Sequence, residues 1–143
     1  MDASSLQSMI VELFTAIQLI SGYPMPDTLP EIHRVPGPVM QQKICSRPCP
    51  VKAFYHPQWG VYFDETLDIE ANAFDRSILL HELVHHLQRR TGKFEPVAGT
   101  CRRKNAEELE AYEIQNRYLS REGESKRALA IGWVTLCRDV ESN

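Results

Sequence analysis

The chain has no excess of positive charge: 16 Lys and Arg stand against 19 Asp and Glu, a formal net charge of −3 at pH 7. Without a basic field it has little to offer nucleic acid or anionic lipid, and no nucleic-acid partner is expected. A long apolar run is missing as well. The most apolar stretch, Leu6 to Ile20, is interrupted by Gln7, Glu12 and Gln18, and Asp2 stands where a signal sequence would carry positive charge. It reads as too short and too polar to span a bilayer, so no stable membrane insertion is expected. No C-x-x-C pair occurs. Cys45 and Cys49 enclose three residues, and no thioredoxin-like strand and helix follow them, which counts against a thiol redox protein. Repeats and low-complexity tracts are also absent, so residues 1–143 are expected to form one domain. Nothing in the sequence bears on oligomeric state.

What is present is the composition of a soluble globular protein, 43% hydrophobic and 24% charged. Ser4 or Ser5 can cap a helix running to Ser21, with Leu6, Met9, Ile10, Leu13, Ile17 and Ile20 on one stripe. Seven of the nine prolines fall between Tyr23 and Pro50, where at most a short strand, Ile32–Val35, and a turn of helix, Val39–Ile44, are expected. Val51–His56 and Gly60–Asp64 read as two strands rich in aromatic and β-branched residues. Helices follow at Asp75–Arg90, capped by Asp75, at Asn105–Arg121, capped by Asn105, and at Glu124–Arg138. The fold class is therefore α+β, a small antiparallel or mixed sheet with helices on its N- and C-terminal sides.

Cys45, Cys49, Cys101 and Cys137 form an even set. Two disulfides in an exported, periplasmic or secreted protein are expected, any signal peptide being absent from this chain. Unlinked thiols in a cytoplasmic protein are the alternative. A four-thiolate zinc site is disfavoured because Cys101 and Cys137 are isolated. Of three possible pairings, Cys45–Cys49 with Cys101–Cys137 is preferred, because the latter two bracket the last two helices.

One motif carries chemistry. His81-Glu82-Leu83-Val84-His85 lies in a run without a helix breaker. Residues four apart share a helical face, so both imidazoles can reach one metal ion. Glu82, about 100° round the helix, stays beside that ion without joining its ligands. This is the arrangement of a catalytic zinc site with a carboxylate base. His86, about 100° from His85, cannot share the ion and reads as a flanking group. His33 and His56 read as surface histidines, and Gln88 as packing or polar surface.

A third protein ligand is expected on the next helix, where Glu107, Glu108, Glu110 and Glu113 compete. Ala111, Tyr112, Ile114, Tyr118 and Leu119 define an apolar sector. Glu108 falls inside that sector beside Gln115, Glu107 lies near its edge, and Glu110 and Glu113 point to the polar side. A carboxylate in a buried stripe is costly unless paired or metal-bound, which favours Glu108, with Glu107 second. Tyr112, one turn beyond Glu108, stands where it can bond a ligand or a substrate oxyanion.

Through Gly60–Asp64, the His81–His85 motif and Glu107-Glu108-Leu109-Glu110-Ala111-Tyr112, residues 51–119 resemble the gluzincins. These zinc metallopeptidases carry His-Glu-x-x-His on one helix and a glutamate ligand on the next. The chain also resembles small bacterial minimal gluzincins. The resemblance implies a zincin-like fold, and it implies Zn²⁺ held by His81, His85 and Glu108. Tyr112 departs from the aspartate common in the family, which leaves open what orients the imidazoles. An edge strand, Gly60–Asp64 or Val51–His56, would bind extended peptide by strand addition. The expected function is a zinc-dependent peptidase with Glu82 as general base, helped at the oxyanion by Tyr112 or His86. Its alternative is a catalytically silent zinc-binding or partner-binding domain of the same shape.

Overall fold

The structure is a computed structural model that describes residues 1–45, 50–129 and 137. Among these residues the chain forms α1 (Ala3–Ser21), β1 (Ile32–Val35), α2 (Gly37–Ile44), β2 (Ala53–His56), β3 (Gly60–Asp64), α3 (Ala73–Thr91) and α4 (Thr100–Arg121). The result is a mixed α+β protein with four helices and one three-stranded sheet.

The helix ends follow capping chemistry, at positions that differ from those expected. Asp2, not Ser4 or Ser5, caps α1 by accepting from Ser5 N at 2.8 Å. Asn72, not Asp75, caps α3, and it does so through the Asp75 N–H. Asp75 instead accepts from Asp68 N at 2.9 Å and closes the approach loop. The α4 helix starts five residues ahead of Asn105, at Thr100 after Gly99. Residues 124–129, the start of the last expected helix, have no regular structure. The remainder of that helix lies outside the described residues, apart from Cys137.

The sheet has the order β1-β3-β2, with β1 parallel and β2 antiparallel to β3. Gly60 sets the register at its start. Its φ of 92° is left-handed, and a Cβ there would come within 2.2 Å of the Glu31 carbonyl oxygen, which accepts from Val61 N at 2.8 Å. The central strand β3 sends Val61 and Phe63, both fully buried, toward the helices. There they meet Ile10, Leu13, Phe14 and Ile17 of α1, Leu79, Leu80 and Leu83 of α3, and Ala111 and Ile114 of α4. Burying one such side chain stabilises the fold by about 1.5–3 kcal/mol, so this layer fixes α3 against both sheet and α4. By length and composition α1 is long and apolar enough to cross a membrane, contrary to the reading of its sequence, while one of its faces packs into this core.

Cys101 and Cys137 are disulfide-bonded with Cα atoms 5.7 Å apart. Cys45 is also disulfide-bonded, but Cys49, its expected partner, lies outside the described residues.

Candidate metal centre

His81 and His85 lie one turn apart on α3, their ring centroids 4.9 Å from each other. The α4 helix packs against this face and delivers Glu108, whose Oε1 is 3.3 Å from His81 Nε2 and also contacts His85 Nε2. One ligand atom from each of the three residues lies within 4.8 Å of the others, so the group could hold a metal ion. Glu107 and Glu110 do not join it. The Glu107 carbonyl bonds Gln88, and the Glu110 carboxylate is taken up by Tyr23, Lys93 and Gln88. Glu110 is therefore not the polar-side residue that helical phase suggested, whereas Glu113 is, paired in solvent with Arg117.

Two glutamines orient the imidazoles. His85 Nδ1 lies 2.8 Å from Gln88 Oε1, and His81 Nδ1 lies 2.9 Å from Gln115 Oε1. The amide orientations follow from the other end of each side chain. Gln88 Nε2 faces two groups that only accept, the Glu107 carbonyl and the Glu110 carboxylate. Gln115 Nε2 donates to Ser77 Oγ at 3.0 Å, and that hydroxyl donates in turn to the Phe74 carbonyl. Both amide oxygens therefore accept from Nδ1–H, which turns the two Nε2 atoms toward Glu108. Gln88 is 2% exposed and Gln115 2% exposed, so neither bond competes with water.

Reading Gln88 as packing or surface missed this role. A glutamine three residues after His85, on the same buried face, was the available signal. Gln115 lies seven residues past Glu108, two turns along one face, and was visible as its neighbour.

Charge inside the cluster is strongly coupled. Burial lowers His85, but bonding to Glu108 and the charges of Glu82 and Glu108 win and hold it up at about 9. Burial raises Glu108, but its two histidine bonds hold it well below the usual carboxylate range. For Glu82 burial wins: its carboxyl is pushed up despite His81, His85 and the Tyr55 backbone N–H, which donates to it. A raised carboxyl beside a metal-ligand group has the proton affinity of a general base.

Tyr112 packs edge-on against His81 with centroids 4.4 Å apart. Burial, then the charges of Glu108 and Glu82, raise its phenol, which stays protonated and able to donate. His86 does not reach the site. Its Nε2 bonds the Thr28 carbonyl at 2.9 Å, its Nδ1 faces Tyr55 Oη at 3.2 Å, and burial pulls its pKa down. Both nitrogens are used, which removes the expected help from His86 at an oxyanion. His33 and His56 are also more than surface. His33 stacks on Tyr62 and bonds the Trp59 carbonyl, and His56 Nδ1 accepts from Gln58 N and Trp59 N.

The strand beside the site is β2. Asp64 N bonds the Lys52 carbonyl, which makes 52/64 a bonded pair and turns the N–H and C=O of Ala53 and Tyr55 away from β3. Gly60–Asp64 is the central strand, paired on both sides, so of the two strands expected to offer an edge only β2 has one.

These features define a mixed α+β protein whose helix pair presents a His₂Glu group able to hold a metal ion. The chain belongs to the family described as domain of unknown function DUF6647, which it matches over residues 2–141. No curated protein and no solved structure matches it.

Proposed function

We propose that this protein is a zinc-dependent peptidase of gluzincin type with a zincin-like fold. The observation that carries the reading is the convergence of His81, His85 and Glu108, with Glu82 next to them and the β2 edge alongside. The residues fit the ion. Two imidazoles, whose Nε2 atoms would release any proton on binding the ion, and one carboxylate make the donor set of a catalytic zinc site, and the hydrogen-bonded Nδ1 atoms supply the outer shell such a site needs. Zinc bound there supplies an electrophile that acidifies water and polarises a carbonyl.

The chain's own residues do the rest. Ala53 offers its outward N–H and C=O to an extended peptide, which aligns a scissile bond along α3. Glu82 takes the proton of the attacking water and returns it to the leaving nitrogen. Tyr112 donates its protonated hydroxyl toward the carbonyl oxygen as negative charge develops. The Cys101–Cys137 disulfide supports an exported, oxidising location.

The test pairs metal analysis of the purified protein with a peptide-library digest by wild type and Glu82→Gln. About one zinc per chain in both, with cleavage reduced about 10²–10⁴-fold in the variant, is the expected result. Equal cleavage by both would sink the mechanism. Zinc in the wild type without any cleavage would leave the catalytically silent binding domain.

A further inference from the structure

Beyond Tyr55 the β2 edge stops. The next outward position belongs to Pro57, which has no N–H to offer. At that point a cleft of about 420 Å³ opens between the β2–β3 turn and the last turn of α3. Tyr55 and His86 line it, Trp59 stands on the turn side, and Arg89 and Arg90 stand on the helix side. Both arginines are exposed, and among the described residues neither guanidinium has a hydrogen-bonded or ion-pair partner. The wall opposite them is braced: Trp59 is stacked on His56 with centroids 3.8 Å apart and lies beneath Lys43 Nζ at 4.8 Å. Glu31 is the single acidic residue of the lining, and its carboxylate lies 3.6 Å from His33 Nε2. Two arginines thus face one carboxylate across the lining, and the cleft carries a surplus of positive charge.

From this juxtaposition we infer that the cleft is a subsite for a carboxylate of the bound peptide, gripped by Arg89 and Arg90. The inference rests on the peptidase reading for the path of the peptide. A chain held at Ala53 passes Tyr55 and Glu82 and then runs off the end of the strand into the cleft. There the two guanidiniums that line the cleft offer the forked donors that suit a carboxylate, and the Trp59 and Tyr55 rings flank its stem. The carboxylate comes from an acidic side chain or from the peptide's free C-terminus, and the chemistry of the cleft is the same for both.

The experiment uses the full chain carrying Glu82→Gln, supplied with zinc, so that peptides are held and not cut. A positional peptide library is offered in two pairs: one position fixed as Glu or as Gln with amidated ends, and a neutral set as C-terminal acid or amide. Enrichment of the Glu pool or of the acid pool by about tenfold over its uncharged twin is expected. The enriched pool identifies the source of the carboxylate. Adding R89Q and R90Q, with metal content and circular dichroism unchanged, is expected to abolish that enrichment. No enrichment of either charged pool, or enrichment that survives the arginine substitutions, would overturn the subsite. Failure of the peptidase reading looks different: the acidic peptides are retained through Arg89 and Arg90, but wild-type protein never cleaves them.

Discussion

Gln88 holds His85 by accepting its Nδ1–H at 2.8 Å, and the opposite end of the same amide is locked by the Glu107 carbonyl and the Glu110 carboxylate. The orientation of one imidazole on α3 is thus set by α4, the helix that also carries Glu108. The two helices present their three ligand atoms as a unit.

Replacing Gln88 by Leu keeps the volume and removes the acceptor. The His85 ring then loses its tautomer preference, and metal affinity is expected to fall about 10–100-fold. Competition with a chromogenic chelator measures it. Unchanged affinity would show that the amide merely packs.

Glu108→Ala and Glu107→Ala separate two adjacent carboxylates. The first removes the oxygen facing both imidazoles and is expected to strip the metal on dialysis. The second leaves intact the Glu107 backbone carbonyl that binds Gln88, so metal content stays at the wild-type level. Elemental analysis of the two purified variants decides between them.

These two variants also mark how much of the site was legible in the sequence. Spacing four apart aligned His81 with His85, and helical phase placed Glu108 among buried residues, because both are properties of one helix. Glu110 was misread because its partners Lys93, Gln88 and Tyr23 are 17, 22 and 87 residues away, and Gln88 because the groups that lock its amide are 19 and 22 residues away. A glutamate pointing out of its own helix can still be enclosed by a loop and a neighbouring helix, as Tyr23 and Lys93 enclose Glu110. The strands β1 and β3 were found at their true bounds from composition. Their parallel pairing was not, since it depends on α2 and β2 being folded out as the crossover between them.

A pH effect is expected away from the metal centre. Asp64 is 3% exposed and lies against Gly37, where a Cβ would come within 2.6 Å of its Oδ2. Burial raises its carboxyl, but bonds from Thr66 N and Oγ1 at 2.9 and 2.8 Å, with Lys52 nearby, bring it below its ordinary value of 3.8. Because the folded form holds the proton less tightly, the stabilisation is present above pH 3.8 and is lost as pH falls through and below it. Asp64→Ala is expected to cost about 2 kcal/mol at neutral pH, with a difference from wild type that shrinks on acidification. Chemical denaturation at a series of pH values would show a constant difference if the charge were irrelevant.

The Cys101–Cys137 crosslink closes a separation of 36 residues. Loop-closure entropy gives it an upper estimate of about 4 kcal/mol. The double Cys→Ser variant is expected to melt lower than wild type in oxidising buffer and to be indifferent to reductant at this bond. Equal melting of the two proteins would mean that this crosslink adds nothing to the folded state.

The brevity of β2 has one more consequence. A bare sheet edge invites another copy of the same chain to add a strand, the first step toward aggregates. Here the exposed edge is four residues long, one of its outward N–H groups is already taken by Glu82, and proline follows at its end. A visiting strand therefore finds too few main-chain partners to stay unless the neighbouring groups hold it as well. The edge that would admit a peptide to the site is, for the same reason, a poor template for self-association.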